Sequence, residues 1–192
     1  DIVLAAVNKS CGACLAFASD RLRNDREFVM LCITINAISL QFLGDKLKHD
    51  RDFILSAMKV NGSALDHVPH FQNDKMVVMN AVTQNGNVLY YASDDLKNDE
   101  QVVMTAVKNY SLALIYASDS LRHNVEFVLK CIEEKGAPFL GAGFSGERAV
   151  PDKLKDDFDF MIRAVKLDRN CIQYASERLK NDEQFKQIVS QD

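Results

Sequence analysis

The chain has 192 residues, 47% of them hydrophobic and 26% charged, which excludes wholesale disorder. With 8 Gly and 3 Pro, a turn-rich sandwich or barrel is disfavoured and helices are expected. The net charge of −4 exerts no global pull toward nucleic acid or an anionic membrane.

Self-similarity organises the chain. ASDRLRND (Ala18 to Asp25), ASDDLKND (Ala92 to Asp99), ASDSLRHN (Ala117 to Asn124) and ASERLKND (Ala175 to Asp182) are copies of one string; LGDKLKHD, VPHFQND and DKLKDD are weaker copies. Their last residues are Asp25, Asp50, Asp74, Asp99, Asn124, Asp157 and Asp182, spaced by 25, 24, 25, 25, 33 and 25. The long gap is one period plus an insertion of eight residues, near Gly143 to Val150. Seven units cover the chain, and an eighth begins at Glu183.

Each unit starts with a predicted helix of about ten residues. In chain order its apolar stripe is Phe28–Val29 and Cys32–Ile33, Phe53–Ile54 and Ala57–Met58, then Val77–Val78 and Ala81–Val82. It continues as Val102–Val103 and Ala106–Val107, Phe127–Val128 and Cys131–Ile132, and Phe160–Met161 and Ala164–Val165. The last Asp or Asn of the preceding string stands at the N-cap, and Glu27, Asp52, Glu126 and Asp159 place negative charge in the first turn. Asn61–Gly62 and Asn85–Gly86, with Asn36 and Gly136, are expected to supply a left-handed residue that ends this helix. A second helix is expected to carry Leu15, Leu40, Leu65, Leu89, Leu114, Phe139 and Ile172, then a small pair such as Ala92–Ser93 that lets helices approach closely. Ten-residue helices are marginal alone, so neighbouring hairpins must supply their stability. The expected fold is all-α: one array over residues 1–192, an α-solenoid of seven helical hairpins and a terminal helix, with units ending near 25, 50, 74, 99, 124, 157 and 182.

The pattern D-x-x-F-V-x-x-A-V-x-x-N-G-x-x-L-x-x-A-S-x-x-L-K-x-D resembles the repeat of DUF 4116, a domain of unknown function whose unit spans about two of these hairpins. The resemblance covers nearly the whole chain, departing from it at Val68–Pro69, Lys135–Gly136 and the insertion. It implies an array of helical repeats, found in protist proteins and in large proteins of intracellular bacteria, including secreted effectors. It implies no activity and no catalytic residue.

The chemistry-bearing motifs are sparse. Gly141, Gly143 and Gly146 match G-x-G-x-x-G, but no strand is expected before them, so a loop is the simpler reading, with Phe144 and Arg148 as contacts if it meets a partner. Cys11 and Cys14 form C-x-x-C without the second pair that zinc needs, and a redox role would require a helix start beside one thiol. Cys32 and Cys131 stand where Ala packs in other units, and the odd total of five cysteines reads as reduced thiols in a cytoplasmic setting, the resemblance adding delivery into a host cell. His67 and His70 flank Pro69, which breaks the helical spacing of a metal pair. No stretch is apolar enough to span a bilayer, and the start at Asp1 without a signal-like segment reads as a fragment of a larger protein.

Two columns remain. Phe17, Phe42, Tyr91, Tyr116 and Tyr174 share one position, occupied by His67 in the third unit and Gly141 in the sixth; they are either inter-helix packing or a ladder for a partner. Arg23, Lys48, Lys97, Arg122, Lys155 and Lys180 share another, interrupted by Gln72, and read as solvated cations complementing a helix C-terminus rather than as a phosphate stripe. The expectation is a non-catalytic scaffold that binds an unidentified protein, with no cofactor, metal, nucleic-acid or membrane partner. The rival is a substrate-positioning region of an enzyme whose catalytic domain lies elsewhere.

Overall fold

The computed structural model describes residues 13–141, 143–144 and 147–191. The fold is nearly all helical. Among the described residues seven long helices carry it: α1 (Arg26–Ile35), α2 (Arg51–Val60), α3 (Lys75–Gln84), α4 (Glu100–Asn109), α5 (Val125–Lys135), α6 (Phe158–Leu167) and α7 (Glu183–Gln191). The seventh is the helix expected to begin at Glu183.

The chain divides into two compact units, Asp1–Ser93 and Asp94–Asp192. In the first, α1 packs on α2 and α2 on α3, while the 3-10 helices Ala13–Phe17, Ala37–Phe42, Gly62–His67 and Gly86–Tyr91 stack in the same order. In the second, α4, α5, α6 and α7 pack successively, and so do the 3-10 helices Ser111–Tyr116, Pro138–Gly141 and Arg169–Tyr174.

The expected caps form. Asp25, Asp50, Asp74, Asp99, Asn124, Asp157 and Asp182 each accept a hydrogen bond from the backbone N–H three residues on, at 2.8–3.2 Å. Each cap satisfies a donor that the helix leaves without an internal partner. The apolar stripes of α2, α3, α4 and α6 are buried at every expected position; in α1, Phe28 is half-buried beside buried Val29, Cys32 and Ile33.

The second half of each unit differs from the expected single helix. A 3-10 helix of up to six residues stops at the small pair, and a separate single turn follows, such as Asp45–Lys48 or Asp119–Arg122. Ala92 and Ala117 are extended, with ψ of 156° and 158°. In two units the serine of the pair is a cap: Ser118 and Ser176 accept from Leu121 N–H and Leu179 N–H, whereas Ser19 makes no such bond. An i, i+3 apolar spacing suits either helix type, so the periodicity did not reveal the break. Leu15, Leu40, Leu65, Leu89, Leu114 and Phe139 are buried as expected, whereas Ile172 is half-exposed and Cys171 beside it is buried.

In four units the serine position also ties the unit to the previous one. Backbone N–H groups of Gly44, Ser93, Ser118 and Ser176 donate to the carbonyls of Arg23, Gln72, Lys97 and Lys155 at 2.8–2.9 Å. Pro69 and Pro151 occupy this position in the remaining two described units and have no N–H to give.

The asparagines that end the long helices are extended, not left-handed: φ is −156° at Asn36, −147° at Asn61 and −146° at Asn85. Asn36 and Asn85 instead cap the following 3-10 helix, accepting from the N–H two residues on, an arrangement repeated by Asp168. Gly62 serves close packing, since a Cβ there would lie 2.4 Å from the carbonyl oxygen of Ala81. Gly136 does adopt positive φ, at 72°.

Candidate partner-binding surfaces

The aromatic column lies on the 3-10 helices. In the first unit Phe17 is 91% exposed, Phe42 is half-buried, His67 stands in the third position, and Tyr91 is 39% exposed. Tyr90, which the column did not include, is 58% exposed and meets the Tyr91 ring edge-on at 5.1 Å between centroids. Its neighbour's column membership and a second aromatic in the same 3-10 turn were the available signals. In the second unit Tyr116 and Tyr174 are half-buried.

The basic column lies, as expected, in the last turn of the single-turn helices, with Lys48 exposed, and four of its members are also ion-paired. These four pair with the acid three residues earlier: Arg23 with Asp20, Arg122 with Asp119, Lys155 with Asp152 at 2.8 Å, and Lys180 with Glu177 at 3.0 Å. Lys155 is buried, and its Nζ donates to the Leu140 carbonyl at 3.3 Å; Gln72 reaches Leu65 the same way. The Lys155 and Gln72 side chains thus fold back onto the preceding 3-10 helix, whose last carbonyls need donors. Only backbone direction could show this, and the sequence does not carry it.

The insertion forms a short antiparallel pair, β1 (Gly143–Phe144) with β2 (Glu147–Arg148), in place of the expected plain loop. Gly141, Gly143 and Gly146 therefore do not follow a strand that opens a helix; Gly146 and the Phe144 side chain lie outside the described residues. Ala149 and Val150 are buried, and the Arg148 carbonyl accepts from Arg122 Nη1 at 2.7 Å, which anchors the end of the insertion. Beside it is a cleft of about 450 Å³, with Arg148, Asp152, Lys155, Gln173 and Tyr174 among its walls. Gly141 makes room for Tyr174: a Cβ there would lie 2.6 Å from Cε1 of that ring. The Asp152 carboxyl is held below the usual range first by its hydrogen bond from Lys155 and then by charge, Arg148 included. The gap in the aromatic column next to an insertion was the legible sign of this place; Lys155 was visible only as a member of the basic column, and Asp152 and Gln173 were not singled out.

The cysteine and histidine motifs separate. Cys11 lies outside the described residues; Cys14 lies on the 3-10 helix Ala13–Phe17. Cys32, Cys131 and Cys171 are free and buried, and burial pushes the Cys131 and Cys171 thiols up to about 12. His67 Nδ1 is 3.0 Å from Gln41 Nε2, whereas His70 meets His49 with ring centroids 5.7 Å apart. Among the described residues no group of three or more His, Cys, Asp or Glu is placed to hold a metal ion, and no helix is long and apolar enough to cross a membrane.

Repeated units built from a long helix, a 3-10 helix and a single turn define a helical-repeat protein. The chain belongs to the family described as Domain of unknown function (DUF4116), whose model matches residues 1–48, 50–97, 99–139, 149–180 and 157–188. Residues 140–148, which hold most of the insertion, fall between the matched segments. A search of curated proteins and a search of solved structures found no match.

Proposed function

We propose that the chain is a non-catalytic helical-repeat scaffold for protein–protein contact, its repeats stacked in the manner of an α-solenoid within each unit. The observation that carries this reading is the exposed aromatic set on the 3-10 face of the first unit, Phe17, Tyr90 and Tyr91. Tyr and Phe pair a large apolar area with few rotatable bonds, so they lose little entropy on contact and anchor interfaces well. The long helices turn a buried stripe inward and ion-paired charges outward, as in Arg26–Asp50 and Glu126–Arg163, and the apolar side chains they expose, Leu31, Val60, Met76 and Leu167, are not aromatic. A reducing, cytoplasmic setting belongs to the same proposal and suits three free buried thiols. The resemblance adds delivery into a host cell as part of an effector.

The test is affinity capture from eukaryotic lysate, with the intact chain and a Tyr90→Ser/Tyr91→Ser variant as baits and circular dichroism as the control for folding. A protein retained by the first and lost by a folded second supports the reading. Capture indifferent to both substitutions overturns it.

A further inference from the structure

The cleft beside the insertion has more donors and more positive charge than its own walls use. Asp152 is shared: Lys155 Nζ lies 2.8 Å from one oxygen and Arg148 Nε 3.3 Å from the other. Two cations against one carboxylate leave a surplus of one positive charge. The second pair in the cleft, Lys180 with Glu177, is balanced. Lys155 is committed, buried on the Leu140 carbonyl, so the surplus resides on Arg148, whose side chain is 53% exposed. At Arg148, Gln173 and Tyr174, a planar guanidinium that meets Asp152 through Nε, an amide and a phenol therefore face one polar space, with no hydrogen bond from their side chains among the described residues.

From this arrangement we infer that the cleft binds a carboxylate side chain of an acidic peptide segment, received by the Arg148 guanidinium with Tyr174 and Gln173 as flanking donors. The guanidinium fork matches a carboxylate in two parallel hydrogen bonds. The cleft, at about 450 Å³, is far larger than a free carboxylate and accommodates the chain that carries it. The Tyr174 ring, set over Gly141, offers apolar surface to the methylenes of an Asp or Glu side chain. Asp152 and Glu177 in the walls repel a continuous run of phosphates, which sets a peptide with spaced acids apart from nucleic acid. The inference rests on the scaffold reading and names one kind of segment such a scaffold takes.

The probe is acetyl-Gly-Glu-Gly-Gly-Glu-Gly-amide, titrated at low salt into the intact 15N-labelled chain and followed by amide shifts. Sodium phosphate and the corresponding Lys peptide form parallel arms. The expected result is saturable shifts at Arg148, Gln173 and Tyr174 with the Glu peptide. Binding should weaken about tenfold in Arg148→Ala, in line with loss of a charged hydrogen-bond donor. It should be unchanged in Arg21→Ala, which removes the same charge from an exposed site in the first unit. Tyr174→Phe, which keeps the ring on Gly141, provides a second variant and should weaken binding by a smaller factor. No shift at the cleft, or equal effects of Arg148→Ala and Arg21→Ala, overturns the inference. So does phosphate that reproduces the shifts at the same concentration, since the cleft then takes a free anion. A partner that depends on Tyr90 and Tyr91 without any peptide shift removes the cleft alone. Peptide shifts with capture indifferent to those tyrosines remove the scaffold reading alone.

Discussion

Replacing Asp74 by Ala isolates the device that every unit repeats. Its Oδ1 accepts the N–H groups of Met76 at 3.0 Å and Val77 at 3.2 Å, and its two carboxylate oxygens receive Arg51 Nε at 2.5 Å and Nη2 at 3.0 Å. Loss of a cap costs about 1–2 kcal/mol. The ion pair is discounted because the Arg51 side chain is 49% exposed, and such pairs contribute about 0.2–1 kcal/mol. The expected total is about 2 kcal/mol. Native-state hydrogen exchange of the α3 amides reads this as acceleration of about 30-fold, at roughly tenfold per 1.4 kcal/mol. Arg51→Ala keeps the cap and should cost under about 1 kcal/mol, and Asp74→Asn keeps an acceptor oxygen and should fall between the two. If Asp74→Ala costs no more than Arg51→Ala, the ion pair rather than the cap holds the start of α3. If Asp74→Asn costs as much as Asp74→Ala, charge rather than capping is responsible. Either result refutes the reasoning.

Phe127→Ala removes a fully buried ring from α5 and should cost about 3–5 kcal/mol in urea unfolding followed by circular dichroism. Phe17→Ser, at an exposed ring, should stay within about 0.5 kcal/mol of the parent. Acid should destabilise the fold. Asp74 and Glu126 are held below their ordinary values first by hydrogen bonds from Arg51 and Arg163, Asp50 first by the Phe53 N–H, and Asp156 by the Ser176 hydroxyl and then Arg178. The folded state therefore binds fewer protons than the unfolded state. The stabilisation is complete above the ordinary values of 3.8 for Asp and 4.5 for Glu and is lost as pH falls through the lowered ones. A melting temperature level from about pH 7 to about pH 5 and declining below is expected, and one that rises on acidification contradicts it. Cys32, Cys131 and Cys171 should resist alkylation in the native protein at about pH 8 and react in denaturant, because thiols raised to about 12 at Cys131 and Cys171 leave almost no thiolate.

What was legible in the sequence follows from how local each feature is. Asp99 caps α4 from the adjoining position, and Val102, Val103, Ala106 and Val107 lie within two turns of it, so cap and stripe form one short signal that repetition reinforces. The second half of the unit was harder to read, because the break rests on the backbone angle of a single residue such as Ala117 and on the serine that follows it. A local pattern of apolar residues did not distinguish one helix from a 3-10 helix and a turn. Asn61 and Gly62 were mistaken for a left-handed stop for a related reason. That glycine is required by α3, which passes close to it and is a separate element some twenty residues further along the chain.

The candidate surfaces divide along the same line. The aromatic column and the basic column were visible as columns, since each recurs at one register of the period. Exposure of Phe17 and Tyr91 and burial of Lys155 were settled by packing, because residues at equivalent positions meet different neighbours. The cleft belongs entirely to tertiary structure: it joins Gly141 to Tyr174, and Arg148 to Gln173, across a long helix that the chain must traverse to bring them together. By itself, then, the sequence determined the repeat, its period, its capped ten-residue helices and the family, all encoded in short-range hydrogen bonds and in apolar spacing that recurs. Tertiary structure alone decided which members of each column face solvent and where the insertion encloses a polar cleft. Burial and convergence depend on partners distant in the chain, which no local pattern specifies.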